Sequence, residues 1–183
     1  MSDGGEISHP DVLIRELIAD PERPATLEEV AKILEHVAQA PFNTRRIDVT
    51  PVLVGREFLG KRLGAREDSL TVHLAHRVLA NEQWSNTTTK EEFLRDIERA
   101  VLHPNAALAV YETRRTNYAA VVAPNVVPRS RLGRQPGKLM VVPYSANRGR
   151  IVSAWQARNE ENLLVPERAR WIKPLKEFRN FES

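Results

Sequence analysis

The sequence predicts an α+β domain, helices first and an antiparallel sheet of about four strands last, and three observations predict it. Two capping boxes, Thr26-Leu27-Glu28-Glu29 and Thr89-Lys90-Glu91-Glu92, each open a run with apolar residues at helical spacing. Beyond Pro104 the texture changes to short runs rich in Val, Ile, Tyr and Trp. The connections between those runs are too short for crossover helices, so the strands should pair antiparallel as a meander.

Residues 1–9 are small and polar, the composition of a disordered terminus. A short helix is expected over Asp11 to Ala19, with Val12, Leu13, Leu17 and Ile18 apolar, stopped by Asp20-Pro21. The first capping box starts an amphipathic helix over 27–40, closed by Pro41. Val49 to Val54 reads as a strand or extended loop leading to a helix near Arg56–Leu63, with Gly55, Gly60 and Gly64 as punctuation. Helices then follow from Asp68 to Ala80 and from Thr89 to Leu102, the latter with Phe93, Leu94, Ile97 and Val101 on its apolar face. The expected strands are Ala107–Thr113, Tyr118–Ala123, Lys138–Tyr144 and Arg150–Trp155. Residues 1–45 thus read as an N-terminal helical extension, 46–160 as the main domain and 161–183 as a tail. The tail mixes charge with Trp171, Ile172, Phe178 and Phe181, as a packed extension or a partner-binding arm would.

At 183 residues the chain suits one well-packed domain. Without cysteine it has no disulfide, thiolate nucleophile or cysteine-ligated zinc, and a cytoplasmic location is expected. Its longest apolar runs, about five or six residues, are far short of the ~20 of a membrane helix, and Ser2, Asp3, Gly4, Gly5 and Glu6 lack the basic and apolar regions expected of a signal peptide. Charge is unevenly placed: Arg114, Arg115, Arg129, Arg131, Arg134, Lys138, Arg148, Arg150 and Arg158 lie between Thr113 and Asn159, a segment with no Asp or Glu. That segment stands at +9 and the remainder, 18 basic against 24 acidic residues, at −6. Such asymmetry points to a polyanion such as nucleic acid, with a solvated loop facing an acidic neighbour as the plainer alternative.

On a wheel of about 100° per residue, Leu70, Val72, Leu74, Ala75, Val78 and Leu79 share one arc of the helix from Asp68, and His73, His76 and Arg77 share the other. A solvated face explains the second arc as simply as a site does. A metal fits poorly, because the two imidazoles have no carboxylate on that face and Arg77 repels a cation. Two imidazoles and a guanidinium suit metal-independent RNA cleavage: one base for the ribose 2′-hydroxyl, one acid for the leaving oxygen, one fixed cation for the phosphorane. His9, His36 and His103 carry no assigned role, and Tyr118 and Tyr144 read as core or rim.

The helix with His73 and His76, the Trp84 turn, the Thr89-led helix with Phe93 and Leu94, Lys138-Leu139-Met140-Val141-Val142 and Arg150-Ile151-Val152-Ser153-Ala154-Trp155 together resemble the barnase–EndoU–colicin–RelE-like nuclease superfamily, especially its phage and bacterial toxin branches. The likeness covers about 70–157 and is one of texture and order. It implies a helical part followed by a curved four-stranded antiparallel sheet, RNA cleavage without metal or cofactor, and a cognate inhibitor protein as partner. Carried over, it sets His73 or His76 as the catalytic histidine and Ser153 as the hydroxyl of the last strand. Members often carry Thr and Tyr where this chain has Ser153 and Trp155. Ser153 is also readable as a simple strand serine, and Trp155 as a core aromatic or a base-stacking platform. Expected phosphate contacts come from Arg77, Arg129, Arg131, Arg134, Lys138, Arg148 and Arg150. Two competing functions remain: a non-catalytic nucleic-acid-binding module using the same basic residues, and a protein-interaction or assembly domain working through 11–40 and the tail.

Overall fold

A computed structural model describes residues 6–43, 46–48, 57–58, 61–62 and 66–175. The order is α1 (Pro10–Ala19), α2 (Leu27–Gln39), β1 (Arg46–Asp48), β2 (Glu57–Phe58), β3 (Lys61–Arg62), β4 (Arg66–Asp68), α3 (Ser69–Leu79) and α4 (Lys90–Val101). Then come β5 (Ala107–Thr113), β6 (Thr116–Pro124), β7 (Leu139–Ser145), β8 (Arg150–Ile151), β9 (Trp155–Ala157) and β10 (Arg170–Lys173). The chain is therefore α+β, as its sequence predicts. Both capping boxes form, with Thr26 and Thr89 each accepting from the residue three further on while Glu29 and Glu92 reach back. The helix expected near Arg56–Leu63 is not there: its described residues are the two-residue strands β2 and β3, paired antiparallel, as its three-glycine punctuation favours. The strand expected over Val49–Val54, the first five residues, Phe178 and Phe181 lie outside the described residues.

The main sheet has six strands, not four, in the order β10-β5-β6-β7-β8, with β9 also on β7. β10 extends it from the tail, antiparallel to β5. Arg170 on β10 donates to the carbonyls of Leu17, Asp20 and Arg23, capping the C-terminal end of α1. One face of the sheet packs under the helices: Leu13, Ile14 and Leu17 of α1 and Val30, Ile33 and Val37 of α2 share one cluster with Leu108, Val121 and Met140. Each such fully buried side chain contributes about 1.5–3 kcal/mol. The other face is covered by Leu163, Val165, Trp171 and Leu175, which pack on Ala107, Val122, Leu139 and Val141. Among the described residues, the centre of the sheet is thus closed on both sides.

The edge strand expected over Arg150–Trp155 is broken, and the break matters. Tyr144 pairs with Ile151 but Val141 with Trp155, so three steps along β7 meet four along the edge. Val152 N–H donates to the Pro143 carbonyl at 3.0 Å, which places the backbone side of Pro143 that lacks an N–H toward the same edge. A proline there cannot continue the ladder, and the extra residue is taken up as a bulge. The bulge spans 152–154 and directs Ser153 toward α3.

Candidate functional site

α3 is capped by Asp68, whose carboxylate accepts from Thr71 N–H at 2.9 Å, and it lays Leu74, Ala75 and Val78 into the core. The opposite arc is not simply wet. His73 is half-buried, its ring edge-on to Phe42 at 5.8 Å between centroids. Phe42 is held by its own bridge to Ile151, so residues 41–43 cover the outer side of β8. His73 Nδ1 lies 3.3 Å from Ser153 Oγ. Arg77, one turn on, donates through Nη2 to Ser153 Oγ at 3.1 Å, through Nε to the Ala154 carbonyl at 2.7 Å and through Nη1 to Asn81 Oδ1 at 2.8 Å. Its guanidinium carbon stands 5.8 Å from the Trp155 ring centroid. The bulge thus brings a base, a hydroxyl and a cation into direct contact. His76 is exposed and makes no side-chain hydrogen bond among the described residues.

Electrostatics decide the proton positions. Burial, then the Arg77 charge, then His76, pull the His73 pKa down to about 4, so the ring is neutral near pH 7. Burial lowers Arg77 to about 10, which still leaves it a cation. His76 is lowered too, by burial and then by Arg77. Arg77 donates to one lone pair of Ser153 Oγ; in the tautomer of neutral His73 that carries its hydrogen on Nε2, the serine proton points to His73 Nδ1. An oxygen in the Ser153 position can pass its proton to His73 while Arg77 stabilises the charge left behind. Three of the five guanidinium N–H groups are engaged within the described residues, and two are left for a ligand.

A groove of about 390 Å³ opens beside this cluster, lined by Arg77, Asn81, Gln83, Trp155, Gln156, Ala157, Arg158, Asn162 and Leu164. Trp155 is half-buried, packs on the second core cluster and donates from Nε1 to the Leu163 carbonyl at 3.2 Å, so its ring is fixed as one wall. Gln83 holds that wall in place: it accepts from Gln156 N–H at 2.7 Å and donates to the Gln156 carbonyl at 2.7 Å. Asn81, Gln83, Arg158 and Asn162 have no sequence signal as site residues beyond the inclusion of Arg158 in the basic segment.

The basic segment itself is divided. Arg114 and Arg115 form the β5–β6 turn with positive φ, and Arg148 follows β7 at the same end, where Asn117 N–H donates to Asn147 Oδ1 at 2.8 Å. Arg150, half-buried, lies next to that turn on β8, paired with Ser145. Arg129, Arg134 and Lys138 are exposed at the opposite end; Arg134 lines a separate cavity of about 580 Å³ beside Trp84. Arg131 is a correction: its guanidinium binds the fully buried Asp96 carboxylate and lies 3.4 Å from Glu92, so it is spent on structure. Trp84 Nε1 donates to the same carboxylate at 3.1 Å. Of the expected site residues, His73, Arg77, Ser153 and Trp155 meet, and the remaining arginines and the lysine divide between the two ends of the sheet. No described helix is long and apolar enough to cross a membrane. No protein-family model matches the chain, and neither a curated protein nor a solved structure is significantly similar to it.

Proposed function

We propose that the protein is a metal-independent endoribonuclease of toxin type, with His73 as the proton acceptor. The observation that carries this is Ser153 Oγ held between His73 Nδ1 at 3.3 Å and Arg77 Nη2 at 3.1 Å, beside a groove walled by an aromatic ring. When the Ser153 side chain turns away from His73, a ribose 2′-hydroxyl admitted between His73 and Arg77 gives its proton to His73 Nδ1, and its oxygen attacks phosphorus. The bond to the 5′-oxygen breaks, that oxygen takes a proton from an acid, and a 2′,3′-cyclic phosphate remains. His76, exposed on the same side of α3 and close enough to depress the His73 pKa, is the acid. The free N–H groups of Arg77 hold phosphate, and Trp155 stacks a base. An imidazole at about 4 is a weak base, and the negative phosphodiester beside Arg77 raises it toward the working range.

The resemblance of residues 70–157 to the barnase–EndoU–colicin–RelE-like superfamily supports the same assignment. The protein then acts on RNA in the cytoplasm and is restrained by a cognate inhibitor. The purified chain should cut RNA in excess chelator, leave cyclic-phosphate ends and spare DNA, which lacks the 2′-hydroxyl. Cleavage of DNA, or products without cyclic phosphate, would reject the mechanism. RNA binding without cleavage from pH 5 to 9 would make the groove a non-catalytic nucleic-acid site.

A further inference from the structure

We propose that His9, Asp11 and His36 form a binding site for one divalent transition-metal ion of the zinc class, at the seam between α1, α2 and β7. One donor atom from each of the three side chains falls within 4.8 Å of the others. The sequence gives no hint of this, since His9 and Asp11 open α1 while His36 sits in the last turn of α2. Packing of those helices against the sheet brings them together. His36 Nε2 stands 3.5 Å from Asp11 Oδ1, and His9 Nδ1 stands 3.9 Å from Asp11 Oδ2. The two imidazole rings are edge to face, 5.1 Å apart.

The donor set selects the ion. Two imidazole nitrogens and one carboxylate oxygen, with the remaining positions left to water, suit Zn²⁺, Co²⁺, Ni²⁺ or Cu²⁺ and not Mg²⁺ or Ca²⁺, which prefer all-oxygen shells. An outer partner is already in place: the buried Tyr144 hydroxyl donates to Asp11 Oδ1 at 2.6 Å, as a group that orients a ligating carboxylate does. The site is reachable, because the His9 side chain is 58% exposed. The N-terminal end of α1 works against a cation, and the Asp11 charge offsets it.

The proton balance is defined as well. Tyr144 spends its one hydrogen on Asp11, so in the 2.8 Å contact between His36 Nε2 and the Tyr144 oxygen the imidazole is the donor. An ion binding at Nε2 displaces that hydrogen, which moves to Nδ1 so that the ring stays a neutral imidazole, and the His36 ring gives up its contact with the Tyr144 oxygen. The ion ties the start of α1 to α2 and takes no part in the chemistry at His73, so the proposal stands whether or not the protein cleaves RNA.

The test uses the full chain stripped of metal and titrated with Zn²⁺ by calorimetry, with Co²⁺ absorption as a second readout. One ion per chain should bind, and the melting temperature should rise with Zn²⁺ concentration. His9→Ser keeps a side-chain oxygen at the helix cap, where His9 Nδ1 now accepts from Asp11 N–H at 3.1 Å, and removes only the imidazole. It should leave the metal-free melting temperature in place and weaken Zn²⁺ binding at least about tenfold, the least that losing even an outer partner costs. Asp11→Asn should weaken it similarly, and His73→Ala should not. Absence of saturable Zn²⁺ binding, binding unchanged by His9→Ser, or binding abolished by His73→Ala would each overturn the proposal.

Discussion

Replacing Arg77 with methionine keeps most of the side-chain volume and removes the charge and the fork. Three hydrogen bonds are lost, to Ala154, Asn81 and Ser153. Bonds to a charged donor contribute about 1.5–3 kcal/mol each when taken singly. Because Arg77 is only half-buried, water can replace some of them, and we expect a net loss of about 2 kcal/mol. For a chain of this size that lowers the melting temperature by roughly 4–8 °C. The same change acts on His73: burial, the larger cause, stays, and the repulsion from Arg77 goes, so the ring should titrate above about 4 yet still below its ordinary 6.5. Thermal unfolding at pH 7 and an NMR titration of the His73 ring measure both effects on one variant. An unchanged melting temperature with His73 titrating as in the wild type would refute the Arg77 geometry. A drop in stability with no movement of His73 would keep the packing and remove the electrostatic coupling.

The depressed His73 pKa also fixes the sign of a pH effect. The folded chain keeps the ring neutral down to about 4 whereas the unfolded one takes a proton near 6.5, so this stability is complete above pH 6.5 and is lost as pH falls through that window. The loss reaches up to about 3 kcal/mol and should be absent in His73→Gln when denaturant midpoints at pH 7 and pH 4.5 are compared; an equal loss in both proteins would assign it to other groups. Asp96→Ala strands Arg131 and the Trp84 N–H around a buried hole and should cost about 3–5 kcal/mol by denaturant unfolding, with a change under 1 kcal/mol refuting the structural role given to that pair. Gly137→Ala should cost about 1–3 kcal/mol by the same method, since its Cβ would stand 2.4 Å from the Ala157 carbonyl oxygen; a neutral result would mean that β9 is not packed against that turn.

Local signals made much of the fold legible. The Thr26 and Thr89 boxes and the run after Pro104 depend on neighbours within a few residues, and those elements form where expected. The strand beginning at Arg150 misled because its break is set by Pro143 on the next strand, a partner that becomes visible only once register is known. β10 was hidden in a charged tail whose Trp171 and Ile172 serve the two faces of the sheet. At the site, helical periodicity placed His73 and Arg77 on one face, but that face meets the bulge instead of open water. Arg131 looked like its basic neighbours, because nothing nearby in sequence announces the buried Asp96 as its partner. His9, Asp11 and His36 stayed silent for the same reason: their association is tertiary.

The assignment of chemistry to His73 is tested most directly by single-turnover cleavage of a short RNA in excess chelator, wild type against His73→Ala, across pH 4 to 8. We expect wild-type cleavage to fall at the acid end, where His73 takes up a proton. The variant should be slower by roughly 10²–10⁴ at neutral pH, with RNA affinity nearly unchanged and a native circular dichroism spectrum confirming its fold. A His73→Ala protein that folds, binds and cuts at the wild-type rate would show that the cluster of His73, Ser153 and Arg77 is not where the reaction happens.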